Sequence, residues 1–143
     1  MASYEPARGE AVGFTDAANH RIDERERLGR KESTVEDYRG HLRVHLSPAF
    51  GNRDVRTITR KELEQFRDNL LREPSQYTGN KLAVKTVRNI LSVTNAIFVH
   101  CVEQEWIPVS PMRFVKWPEE QQNLDIKFLN LAELDRLLDE VPD

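Results

Sequence analysis

KLAVKTVRNILSVTNAIFVHCVEQE, residues 81–105, is the longest stretch of helical periodicity in the chain. Val87, Ile90, Leu91, Thr94, Ile97, Phe98 and Cys101 recur at steps of three and four, which gathers them on one face of a helix. An apolar stripe of that length needs other elements to cover it, so this segment is the expected spine of the fold. WIPVSP, with Pro108 and Pro111, closes it, because proline cannot continue a helix and biases the residue before it toward extended backbone.

Outward from the spine, three shorter helices precede it. Thr59 and Glu62 in TRKE form a capping box, and Ile58, Leu63, Phe66, Leu70 and Leu71 make the stripe of the third helix, which Pro74 stops. The polar residues 75–80 then read as a loop. Ser33 and Glu36 in STVE offer a second capping box for a helix carrying Val35, Tyr38, Leu42 and Leu46, ended by SPAFG with Pro48 and Gly51. Thr15 to about Leu28 is a first helix with a thin stripe of Phe14, Ala17, Ala18 and Ile22, and residues 29–32 are a break. Downstream, Asn130 and Glu133 announce a further helix with Leu131, Leu134, Leu137 and Leu138 on one side and nothing to pack on. No alternating β-branched run forces a sheet. The expected fold is therefore all-α: a flexible lead-in at 1–13, a compact bundle of four helices at 14–117, a linker at 118–128 and a C-terminal helical fragment at 129–143.

The bulk properties agree. At 143 residues there is room for one ordinary domain, and 38% hydrophobic against 31% charged residues provides for a small core in a soluble helical protein. No apolar run approaches the roughly 18 residues of a membrane span, and the start lacks the pattern of a secretory signal. A single cysteine, Cys101, excludes an internal disulfide framework and fits a reducing, intracellular setting. The net charge of −3 conceals an asymmetry: residues 31–101 carry 12 Lys/Arg against 8 Asp/Glu, whereas residues 102–143 carry 4 against 10. Phosphate binding depends on where positive charge lies, so the basic middle matters more than the sum.

That positive charge has an address. Lys81, Lys85, Arg88 and Ser92 form one row on the spine opposite its apolar stripe, with Asn89 beside them. The bases come early in the helix and Glu103 and Glu105 late, the reverse of what the helix dipole favours, so helix stability does not account for the order. Lys and Arg neutralise phosphates, Arg forks onto guanine and Asn pairs with adenine in the major groove. The second helix shows a weaker version: Thr34, Asp37 and His41 share a face, Arg30 and Lys31 precede it, and Arg39 and Arg43 flank it. Other chemistries fit less well. His41 and His45 stand one turn apart without a third ligand, so no metal is expected. His100 and Cys101 are adjacent and diverge on a helix, and Cys101 lies on the apolar face as a buried spectator. Trp106 and Trp117 read as anchors of the helix end and the linker, and Glu119-Glu120 as solvated charge.

Three blocks in order, STVEDYRGHLRVHLSPAFGNRDVRTITRKELEQF, KTVRNILSVTNAIFVHCVEQEWIPVSPM and FLNLAEL, resemble the core-binding domain of tyrosine recombinases, the phage-integrase family, with its SAM-like helical fold. The resemblance spans roughly residues 14 to 140. It departs in having Ser-Pro after the long helix where the family commonly has Asn-Pro. It implies that the second and fourth helices face DNA, at Thr34, His41, Lys85, Thr86, Arg88 and Asn89. With the nearby Lys31, Lys81 and Ser92 these make the candidate contact set. It also implies that the last helix begins a truncated catalytic domain, where a tyrosine nucleophile would act with arginines, a lysine and histidines. Tyr4, Tyr38 and Tyr77 all precede that point, and Tyr38 lies on a packing stripe, so no catalysis and no cofactor are expected of these residues. The implied partners are double-stranded DNA at a recombination or attachment site and the parent's catalytic domain. The chain alone would be monomeric and the parent multimeric on DNA, in the cytoplasm of a bacterium carrying a prophage or mobile element. About four to six phosphate contacts would give a slope of log affinity on log salt of roughly −4 to −5. The contrasting class is a helical interaction or regulatory module that docks through its acidic tail. A helix-turn-helix regulator fits less well, because the spine is too long for a recognition helix.

Overall fold

The computed structural model describes residues 5–6, 10–29, 31–73 and 79–119. Its helices are α1 (Phe14–Arg27), α2 (Glu32–His41), α3 (Ser47–Phe50), α4 (Arg60–Arg72) and α5 (Val84–Glu103). A wide π turn, Leu42–Leu46, joins α2 to α3 as one rod, so the expected four helices are present, and no strand occurs among the described residues. The expected C-terminal helix, Tyr4, Pro74, Tyr77 and Arg30 lie outside the described residues.

α5 is the spine that its periodicity predicts. Val87, Ile90, Leu91, Thr94, Ile97, Phe98 and Cys101 are all buried, and the Thr94 hydroxyl donates to the Ile90 carbonyl at 2.8 Å, so its burial leaves no unmet donor. α1, α2 and α4 each pack against it. A run of phenylalanines joins the layers: Phe14 of α1 meets Phe98 of α5 at 5.7 Å between centroids and Phe50 of α3 at 5.3 Å, and Phe50 meets Phe66 of α4 at 5.0 Å edge-on. Tilted and edge contacts at such distances add to the area term that drives the burial.

Helix ends explain where the elements stop. At α4 the Thr59 hydroxyl accepts from the Glu62 amide at 3.2 Å and Glu62 reaches back to the Thr59 amide at 3.3 Å, the expected capping box. Arg53 braces it by pairing with Glu62. The box expected from Ser33 and Glu36 does not form. α2 starts at Glu32 with Lys31 as its extended N-cap, which places Ser33 inside the first turn, where Glu32 complements the positive end of the helix. Pro48 does not end the second rod; the helix runs on to Phe50 and stops at Gly51, at φ +55°. Pro48 lacks an amide proton and its ring crowds the carbonyl four residues back, which accounts for the wide turn immediately before it.

α5 is shorter than expected at both ends. Ala83 is still extended at φ −66° and ψ 149°, and the half-buried Leu82 packs on the core, so Lys81 lies ahead of the helix and off the row drawn through Lys85. At the other end Glu105 turns left-handed at φ 65°; its amide donates to Val102 at 3.0 Å and that of Trp106 to Cys101 at 2.9 Å, a Schellman closure without glycine. Trp106 then sets its ring edge against His20 and His100, whose Nδ1 and Nε2 are 2.8 Å apart in the interior. Sequence periodicity placed neither histidine in the core.

The start of α1 is capped from a distance. Gly13, its N-cap, has no side chain to give, and Asn52 supplies one: its Oδ1 accepts from the Asp16 amide at 3.1 Å and its Nδ2 donates to the Asp16 carboxylate at 3.1 Å. Phe14 donates to the Arg53 carbonyl at 2.7 Å and Val55 to that of Val12 at 2.8 Å, tying the helix to the turn after α3.

Candidate nucleic-acid interface

The two faces of α5 differ as its sequence implies. Opposite the buried stripe, Lys85, Asn89 and Ser92 are exposed, Arg88 and Thr86 are half-buried, and the helix holds no acidic residue before Glu103. None of Lys85, Thr86, Asn89 and Ser92 makes a side-chain hydrogen bond or ion pair among the described residues. Lys85 is thus a solvated ammonium one turn from Arg88, with two neutral hydrogen-bonding side chains on the same row. Lys81 is exposed too, but it precedes the helix, so the four-member row shrinks to Lys85, Arg88 and Ser92 with Asn89 alongside.

Arg88 is engaged, although not by a carboxylate among the described residues. Its Nη1 donates to the Pro118 carbonyl at 2.5 Å and its guanidinium carbon lies 5.6 Å from the centre of the Trp117 ring. One residue earlier, the Lys116 carbonyl accepts from Arg67 Nη1 of α4 at 2.8 Å, while Arg67 also pairs with Asp68 at 3.0 Å. Residues 116–118 therefore cross between α4 and α5 as a short strap held by two arginines. Trp117 was legible as an anchor. Arg67 was not, since on sequence it is one charge among several in RKELEQFRDNLLR.

On the second rod, Lys31 is exposed, Thr34 and His41 are half-buried and Asp37 is exposed. α2 touches both α1 and α5, so these residues lie on a helix packed against the one that bears the cationic row. Burial holds the His41 imidazole below its ordinary value, with Asp37 pulling the other way, and burial and His41 do the same to His45, whose ring centre is 6.2 Å away. Both are neutral at pH 7 and offer hydrogen bonds rather than charge. No third His, Cys, Asp or Glu completes a metal site beside them among the described residues. Arg39 is withdrawn from the face by Glu26 at 3.0 Å and Glu36 at 3.3 Å, whereas Arg43 is exposed and unpaired among the described residues.

Groups that could be mistaken for reactive ones are accounted for by packing. Arg25 and Arg21 lie 5.0 and 5.9 Å from the Tyr38 ring centre, over the aromatic body, which is a stacking arrangement rather than one poised on a phosphoryl group. Burial pushes the Cys101 thiol up to about 12, so it stays protonated and is no nucleophile. No helix among the described residues is long and apolar enough to cross a membrane.

Comparison with known proteins bears on the same region. Residues 23–71, from the second half of α1 into the last turn of α4, match the family model for the phage integrase N-terminal SAM-like domain. No curated protein matches the chain. Among solved structures, the chain is similar to a solution NMR structure of a fragment, residues 61–160, of a protein from Clostridium leptum. The two share 23% identity with a TM-score of 0.62, over 76% of this chain and 90% of that one, a likeness of fold.

Proposed function

We propose, from the match of residues 23–71 to the family model for the phage integrase N-terminal SAM-like domain, that this chain is the DNA-binding module of a site-specific tyrosine recombinase, without strand-transfer chemistry of its own. It would set the parent enzyme on duplex DNA through α5 and α2. The observation that supports this reading is the solvent face of α5: Lys85, Asn89 and Ser92 exposed, and no acidic residue until Glu103, on a helix whose other face is wholly committed to the core. A phosphate near Lys85 and Arg88 releases condensed counterions, which is the main source of affinity for a polyanion. Asn89 has the donor and acceptor to read adenine, and Thr34 and His41 add neutral hydrogen bonds from the adjoining helix. Asp37 repels phosphate and suits only a base amino group, so α2 contributes less than α5.

The test is a gel-shift and NMR titration with a generic duplex at low and moderate salt. Lys85→Ala should weaken binding uniformly across sequences and reduce the salt slope by about 1. Binding that survives both Lys85→Ala and Arg88→Ala unchanged would return the chain to the other class, a helical interaction module.

A further inference from the structure

The strap at 116–118 occupies the guanidinium that the proposed interface needs. Its two anchors are unequal. Arg67 has its charge met by Asp68 and gives one N–H to the Lys116 carbonyl, whereas among the described residues Arg88 is met by a neutral carbonyl and an aromatic face. A carbonyl carries a partial charge; a phosphate oxygen carries a full one and makes a charge-assisted bond roughly twice as strong. A phosphate fork takes two of the five guanidinium N–H groups; the Pro118 carbonyl holds one on Nη1, so it competes with every fork that uses that N–H. Lys85, one turn away and unpaired among the described residues, would draw the same phosphate backbone toward this end of α5.

Resting on the DNA-binding reading, we propose that the strap and a nucleic-acid phosphate exclude one another at Arg88. DNA binding on α5 then lifts Trp117 and Pro118 while Arg67 keeps Lys116. By linkage, the strap lowers DNA affinity by the fraction of time it holds Arg88.

The experiment uses the full 143-residue chain, a short duplex at low salt and two reporters already present, the indole N–H signals of Trp117 and Trp106. The Trp117 signal should shift in step with the backbone amides of residues 85–89, while Trp106, seated against His20 and His100, stays in place. Trp117→Ala, checked for an intact amide spectrum, should bind the duplex about fivefold tighter, close to 1 kcal/mol. Movement of the α5 amides without Trp117 would overturn the exclusion and leave the DNA reading standing. So would equal or weaker binding by Trp117→Ala, since the strap would then be presenting Arg88 rather than competing for it. Absence of any shift in α5 would overturn both.

Discussion

Replacing Gly13 with alanine should change stability in opposite directions depending on residue 52. Gly13 sits at φ −74° and ψ 148°, a region open to every residue, so the backbone itself favours alanine by about 0.4–1 kcal/mol through the unfolded chain. The obstacle is a side chain: an added Cβ would fall 2.0 Å from Asn52 Oδ1 and 2.3 Å from its Cγ. Asn52 must swing out, and with it go the cap on the Asp16 amide and the bond to the Asp16 carboxylate. Loss of an N-cap costs about 1 kcal/mol, and the exposed second bond adds a few tenths. Gly13→Ala alone should therefore destabilise by about 0.5 kcal/mol and Asn52→Ala by about 1 kcal/mol. In the Asn52→Ala background the obstacle is gone, and Gly13→Ala should stabilise by about 0.4–1 kcal/mol. Urea unfolding of the four proteins, followed by far-UV circular dichroism, closes the double-mutant cycle. If the two changes add to within about 0.3–0.5 kcal/mol, or if alanine stabilises both backgrounds, the distant cap is not what holds the start of α1.

Further outcomes follow from the same geometry. Lys81→Ala should reduce duplex affinity less than Lys85→Ala, because Lys81 lies ahead of α5; a gel-shift comparison that ranks them the other way would move the contact surface off the helix. Glu105→Gly should raise the urea midpoint, by up to about 1 kcal/mol in stability, since glycine relieves the left-handed backbone at φ 65°. The Cys101 thiol, buried and pushed up to about 12, should resist an alkylating reagent at pH 8 in the folded chain and react promptly in denaturant. Burial holds His100 below its ordinary value of 6.5 despite Glu24 nearby, so the unfolded chain takes up that proton first. Stability should be full above pH 6.5 and decline as pH drops below it, with His100→Gln flattening the decline in urea midpoints. In more acid solution a second loss should set in as Glu62 and Asp54, held low by Arg53 and Arg56, are protonated through their folded values.

The spine was legible because its stripe is read by one neighbour relation, the helical repeat, and all seven predicted residues are buried; Val93, at the stripe's edge, is buried as well. The Thr59–Glu62 cap was legible for a similar reason, as donor and acceptor lie within one turn. What escaped depends on contacts between residues far apart in the chain. Asn52 caps a helix thirty-six positions away, and His20 meets His100 across eighty. The Ser33 box did not form because the helix begins two residues earlier, with Lys31 as an N-cap that makes no side-chain bond, and no local pattern marks that start. In the candidate interface, exposure of Lys85, Asn89 and Ser92 followed from the stripe opposite them, whereas the hold on Arg88 came from the Pro118 carbonyl beside the Trp117 ring, and a carbonyl is a group every residue carries and no side-chain pattern marks.

The wide turn at Leu42–Leu46 spans five residues where an ordinary turn spans four. The rod thus contains one amino acid more than its length requires, flanked by a half that bears Thr34 and His41 and a half locked through Phe50 into the aromatic layer. Shortening the chain by one position inside that turn should let it close to normal pitch with both halves kept, making this the place in the rod where a deletion is best absorbed.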